Sequence, residues 1–147
     1  MATKPRKHSV AVAIASPLEP GKLLLVLRPP DDDELPGVWG LPAGSLRSGE
    51  TAQNTVLSVG SQKLGVTLHA PVLLAVGEQE RPNYTLTMSV FRAMMSGNPT
   101  LPSRDGDRSL TYYAAWVWSD PAQLEEGAMR GSLCCQLYLQ HRQAGLR

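Results

Sequence analysis

Leu35-Pro-Gly-Val-Trp-Gly-Leu-Pro-Ala-Gly-Ser-Leu-Arg-Ser-Gly-Glu50, continued by Thr51 to Leu64 and closed by Gly65-Val66, is the stretch whose reading decides the fold. Turn residues, one tryptophan, a Gly-rich corner and a helix start are crowded into it, which a plain core element does not need. Ser48 or Thr51 can cap the free amides of a helix, and Glu50 complements the positive end of its dipole. Ala52, Val56 and Val59 recur at helical spacing, as do Leu57 and Leu64, and Gly65 stops the helix. Gly60 inside it costs about 1 kcal/mol relative to Ala, so either something packs closely there or the helix is weak.

Outward from this stretch, Val10 to Ile14 alternates large and small apolar residues and predicts a strand with one large-residue and one small-residue face. The continuous run Leu23 to Leu27 predicts a strand buried on both sides, which calls for a layered sheet covered by helices. Pro29-Pro30 and the acidic Asp31 to Glu34 read as a solvated loop. Val66 to Val76, interrupted by Pro71, predicts a bent or edge strand. Glu78 to Asn83 reads as a turn leading into a partly exposed strand over Tyr84 to Met94. Leu110 to Trp118 is a last strand, Pro121 opens a short helical turn, and Ser132 to Arg142 is a closing helix that docks Leu133, Leu137 and Tyr138 on the core.

The 147 residues suit one domain over 1–147, with 1–7 as a frayed tail before the first strand. Lys+Arg 14 against Asp+Glu 13 argues against a broad surface for nucleic-acid backbone. No apolar run reaches the roughly 18 to 20 residues that span a bilayer, and no signal-peptide pattern leads the chain, so a soluble, cytoplasmic protein without membrane partners is expected. The two cysteines, Cys134 and Cys135, are adjacent and read as small fillers on a helix.

At Gly44, Glu50, Gly65 and Val66 the spacing resembles the Nudix box: Gly, five residues, Glu, seven residues, Arg-Glu-apolar-any-Glu-Glu, any, Gly, apolar. Pro36-Gly-Val-Trp-Gly-Leu-Pro-Ala-Gly44 is similar to the lead-in of MutT-like members, and the resemblance covers nearly the whole chain. It implies an α+β Nudix fold, a mixed β-sheet sandwiched between α-helices. It also implies hydrolysis of a diphosphate linked to another group, with divalent metal held by glutamates on the box helix. Without a gap, those box positions fall here on Ser58, Val59, Gly60, Ser61, Gln62 and Lys63, so Val59, Gln62 and Lys63 stand where metal-binding glutamates are expected. Glu50 is the sole box carboxylate left. It is a candidate catalytic residue, though a helix-start charge that pairs with the loop is the favoured role.

The expectation is a Nudix-fold protein with a degenerate box that binds a nucleotide or other phosphorylated small molecule, with weak or no metal-dependent hydrolysis. Arg28, Trp39, the Gly44 corner and Glu50 would shape the cleft, and Lys63 and Arg47 would place fixed positive charge where metal bridges phosphates. Trp39 is equally a core plug or a stacking surface, and Arg28 equally a substrate contact or a solvated strand end. An alternative is an active hydrolase of nucleoside diphosphate derivatives using relocated carboxylates from loops, with Glu50, Glu78, Glu80, Asp105 and Asp107 as candidates. No cofactor is expected otherwise; Mg²⁺ or Mn²⁺ would serve only this alternative. A third reading is a regulatory or protein-interaction module, possible as a homodimer, using Met88, Met94, Met95 and the strand near Phe91.

Overall fold

A computed structural model of the chain describes residues 4–102 and 112–145. Asp105, Asp107 and the start of the last expected strand lie outside the described residues. The elements in order are β1 (Arg6–Ala13), β2 (Leu23–Leu27), β3 (Trp39–Gly40), β4 (Ala43–Ser45) and α1 (Ala52–Ser58), then a wider i→i+5 turn over Val59–Leu64. They continue through β5 (Thr67–Glu80), β6 (Thr85–Ser96), β7 (Ala115–Ser119), a tight turn Pro121–Leu124, α2 (Glu125–Met129) and α3 (Leu133–Gly145).

The strands form a mixed sheet ordered β4-β1-β6-β5, in which β1 and β6 are parallel, and an antiparallel sheet ordered β3-β2-β7. β1 shows why helices cover both faces. Val10, Val12 and Ile14 pack with Val56, Val59 and Leu64 of the box helix, while Ala11 and Ala13 pack with Leu133, Cys134 and Cys135 of α3. Alternation along an extended chain sends successive side chains to opposite faces, so one strand feeds two cores. This is the α+β sandwich expected from the resemblance. Leu24 and Leu25 are fully buried, as the apolar run of β2 requires.

Several boundaries move. β1 begins at Arg6, because Arg6 and Lys7 pair with Thr85 and Leu86 of β6; both had been assigned to a frayed tail. β5 continues to Glu80, so Glu78 and Glu80 sit on an edge strand and not in a turn. Its predicted bend is real: the pairing slips between His69 and Val72 and again between Leu73 and Ala75, with Ala70 at φ 54° beside Pro71. The strand expected to be partly exposed is largely core, since Met88 and Phe91 are buried in opposite clusters while Arg92 and Met94 are exposed. Among the described residues, no helix is long and apolar enough to cross a membrane.

Candidate functional site

Thr51 starts the box helix as a cap whose side chain accepts from the Asn54 amide, and Gly65 ends it at φ 65°. Gly60 is explained by proximity: a Cβ there would lie 2.5 Å from Cγ of Leu68, so only glycine lets the helix settle on β5. The segment 59–64 was expected to continue the α-helix. Its amides reach back one residue further, with the Gly65 amide bonded to the Gly60 carbonyl.

Val59 lies against the corner, so close that a Cβ on Gly44 would come within 2.8 Å of Val59 Cγ2. Lys63 donates from Nζ to the Ala43 carbonyl at 2.6 Å and lies 5.5 Å from the centre of the Tyr113 ring. Tyr113 holds the same residue, its hydroxyl donating to the Ala43 carbonyl at 3.1 Å and accepting from the Ala43 amide at 2.9 Å. An ammonium, a phenol and a carbonyl therefore meet beside Gly44. Glu50 accepts from the Arg47 amide at 2.8 Å, and its own amide donates back to the Arg47 carbonyl at 3.0 Å. This is the loop-pairing role expected of it.

These groups border a cleft of about 450 Å³ that passes over strand β4. Arg28, Gly44, Arg47, Glu50, Val59, Gln62 and Lys63 all line it, so most of the expected site residues converge. Trp39 does not. It is half-buried against the α3-side core, which makes it a core plug. Glu78 and Glu80 are also elsewhere: Glu78 pairs with Arg6, and Glu80 takes bonds from Lys4 at 3.1 Å and Thr85 at 2.9 Å on the outer strand. They are absent from the cleft lining.

Arg28 is not free and is only partly solvated. Its Nε and Nη2 grip the two oxygens of Asp32 at 3.1 and 3.2 Å, and Asp32 also accepts from the amides of Glu34 and Leu35. Burial alone would raise the Asp32 carboxyl, but the Leu35 amide and Arg28 outweigh it and hold the group below its ordinary value. The acidic run is a solvated loop as expected, with Asp31, Asp33 and Glu34 exposed, but it is pinned at Asp32. Cys134 and Cys135 are buried free thiols, and Cys134 contributes to the cleft floor.

Sequence reading missed the far end of the cleft, where Lys7, Glu34, Arg81 and Tyr84 line the wall. The signal for Lys7 was the alternation of β1, which extends back past Val10; the others depend on pairing between distant segments. Tyr84 donates to Glu34 at 3.0 Å, and its phenol is raised by burial and by that carboxylate. Among the described residues, the lining cations are Lys7, Arg28, Arg47, Lys63 and Arg81, against the carboxylates Glu34 and Glu50.

Among the described residues, divalent metal would find a poor donor set at the corner. Hard cations take oxygen ligands, yet the residues on the helical face are Val59, Gln62 and Lys63, and the carboxylate of Glu50 already serves the loop. Among the described residues no three His, Cys, Asp or Glu side chains gather as a metal site would require.

No protein-family model matches the sequence, and no curated protein matches it. Solved structures do. The E. coli ORF135 protein superposes with a TM-score of 0.73 at 19% identity, covering 96% of this chain and 94% of that one. A Nudix hydrolase from Nitrosomonas europaea gives 0.71 at 23% identity over 98% and 92% of the two chains. A MutT Nudix hydrolase from Burkholderia pseudomallei gives 0.67 at 23% identity over 81% and 86%. What is shared at these identities is the fold, and the chain has the Nudix fold.

Proposed function

We propose that the chain binds a nucleotide or another phosphorylated small molecule in this cleft, and that metal-dependent hydrolysis of a diphosphate is weak or absent. The observation that carries the reading is the Lys63 ammonium bonded to the Ala43 carbonyl at 2.6 Å, at the box position where the family resemblance expects a metal-binding glutamate. A tethered cation neutralises phosphate charge as a metal ion would, but it cannot lower the pKa of a bound water or exchange ligands during attack. Binding therefore outlasts the loss of the metal while the chemistry does not.

The remaining charge supports this. Among the described residues, five cations line the cleft against two lining carboxylates and the Asp32 that closes on Arg28, in a chain whose net charge is only +1, so positive charge is in excess here. The fold is shared with proteins named as Nudix and MutT hydrolases, whose family acts on phosphorylated small molecules.

Calorimetry with ADP and ATP, with and without Mg²⁺, tests the reading. Binding is expected without Mg²⁺, and Lys63→Met is expected to weaken it about tenfold, the effect of losing one charge-assisted contact. A strict requirement for Mg²⁺ would sink the idea. Phosphate release from nucleoside diphosphate derivatives, abolished in Glu50→Gln, would replace it with a working hydrolase.

A further inference from the structure

The far end of the cleft carries a second set of anion-binding groups that the corner does not use. Arg81 and Tyr84 bracket the turn between β5 and β6, with the Arg81 amide bonded to the Tyr84 carbonyl at 2.8 Å. Arg81 Nε donates to Gln79 Oε1 at 2.7 Å, and Gln79 Nε2 donates to the Gly131 carbonyl at 3.1 Å, so the guanidinium is braced from behind. Arg81 Nη1 then donates to one oxygen of Glu34 at 2.7 Å, and the Tyr84 hydroxyl donates to the other at 3.0 Å. The Lys7 ammonium stands 4.8 Å from the centre of the Tyr84 ring. Each carboxylate oxygen meets its own donor, the geometry of a two-point anion clamp.

The two sides of this clamp differ in kind. Its donors belong to a hairpin built into the four-stranded sheet, while its acceptor belongs to the loop 29–38 between strands. The Glu34 side chain is 44% exposed and that of Arg81 only 19%. The partner that would leave is the open one, and ion pairs at exposed sites contribute only about 0–1 kcal/mol, so an incoming anion can replace Glu34 at small cost. With Glu34 swung out, Lys7 and Arg81 present two positive charges, which a phosphoryl dianion matches better than a single carboxylate does.

We infer that Arg81, Tyr84 and Lys7 form a second phosphoryl subsite, for which Glu34 is an internal placeholder. The ligand is then a small molecule with one phosphoryl group at the Gly44 corner and another at the hairpin end. The assignment of the first group rests on the function proposed above; the clamp itself does not.

The test uses AMP and adenosine 3′,5′-bisphosphate in calorimetry without Mg²⁺. The wild-type chain is expected to prefer the bisphosphate about tenfold, the scale of one charge-assisted clamp. Glu34→Gln is expected to tighten the bisphosphate about fivefold and leave AMP within about twofold, since only the clamp loses its competitor. Arg81→Gln should erase the preference, and the milder Tyr84→Phe should reduce it. Equal affinities for the two ligands in all variants overturn the subsite, as does a Glu34→Gln gain that persists in the double variant with Arg81→Gln. Amide NMR of Glu34→Gln titrated with inorganic phosphate separates the two claims. Movement of the Tyr84 amide and the Gln79 side-chain amide with a silent Gly44 and Arg47 upholds the clamp and sinks the corner. Silent clamp signals overturn the subsite whatever the corner does.

Discussion

The loop 35–50 and the helical segment 51–66 meet at Gly44, yet they are held by different forces. Polar bonds tie the loop: Asp32 anchors its start through the Leu35 amide, Tyr113 grips both ends of the Ala43 peptide, and Glu50 closes the turn on Arg47. Shape holds the helix, through buried Val56, Val59 and Leu64 and through Gly60 pressed on Leu68. A segment held by packing keeps its form whatever polar side chains it shows to the cleft, because its buried apolar face carries the structure. That is how this helix holds its position with Gln62 and Lys63 on its face.

The contrast can be broken most forcefully at Gly60. Gly60→Ala gains a better helix former but drives a Cβ into Leu68, and is expected to lose about 2 kcal/mol, read as a lower midpoint in urea unfolding. A neutral or stabilising result would mean that packing does not hold this half. On the loop side, Tyr113→Phe removes the hydroxyl that serves the Ala43 amide and carbonyl. A loss of about 1.5 kcal/mol is expected, the cost of leaving a partly buried amide without its partner. Thermal unfolding within about 0.3 kcal/mol of wild type would show that water replaces that bond.

Thr51→Ala probes the junction. Loss of the cap to the Asn54 amide is expected to cost about 1 kcal/mol, and hydrogen exchange should rise in the first turn but not at Leu64 if packing alone holds the helix end. The smallest effect concerns pH. The Asp32 carboxyl is lowered in the folded chain, so its contribution is present above the ordinary carboxylate range and is lost as pH falls through the depressed folded value. Acid titration should therefore weaken wild type more than Asp32→Asn, with the excess loss confined to pH below that range. Parallel curves for the two proteins would mean that the loop gains nothing from its carboxylate.

Legibility followed the same division. Thr51 and Gly65 were readable because capping is a contact between near neighbours in sequence. The two faces of β1 were readable because a strand alternates by its own geometry. Glu50 was read in its loop-pairing role for the same local reason. Glu78 and Glu80 were misplaced, since whether a stretch turns or continues as a strand depends on a partner, here β6, that accepts its hydrogen bonds. Trp39 was left open between stacking and packing, and only its contact with the α3-side core decides for packing. Arg28 and the acidic run had looked independent, but a four-residue separation across a tight loop lets the guanidinium fork close on Asp32.

By itself the sequence determined the Gly44 corner, the presence of a helix closed by Gly65, the buried central strand and the residues Val59, Gln62 and Lys63 on the helix face. Each of these is a property of residue identity or of neighbours within a few positions, where propensity and periodicity act. Tertiary structure alone decided that Lys63 would bond to Ala43, that Gly60 would touch Leu68, and that Arg81 and Tyr84 would close on Glu34. Those contacts join different elements, from the neighbouring β5 to segments 47 residues away, and their existence follows from strand order and register, which set the path of the backbone.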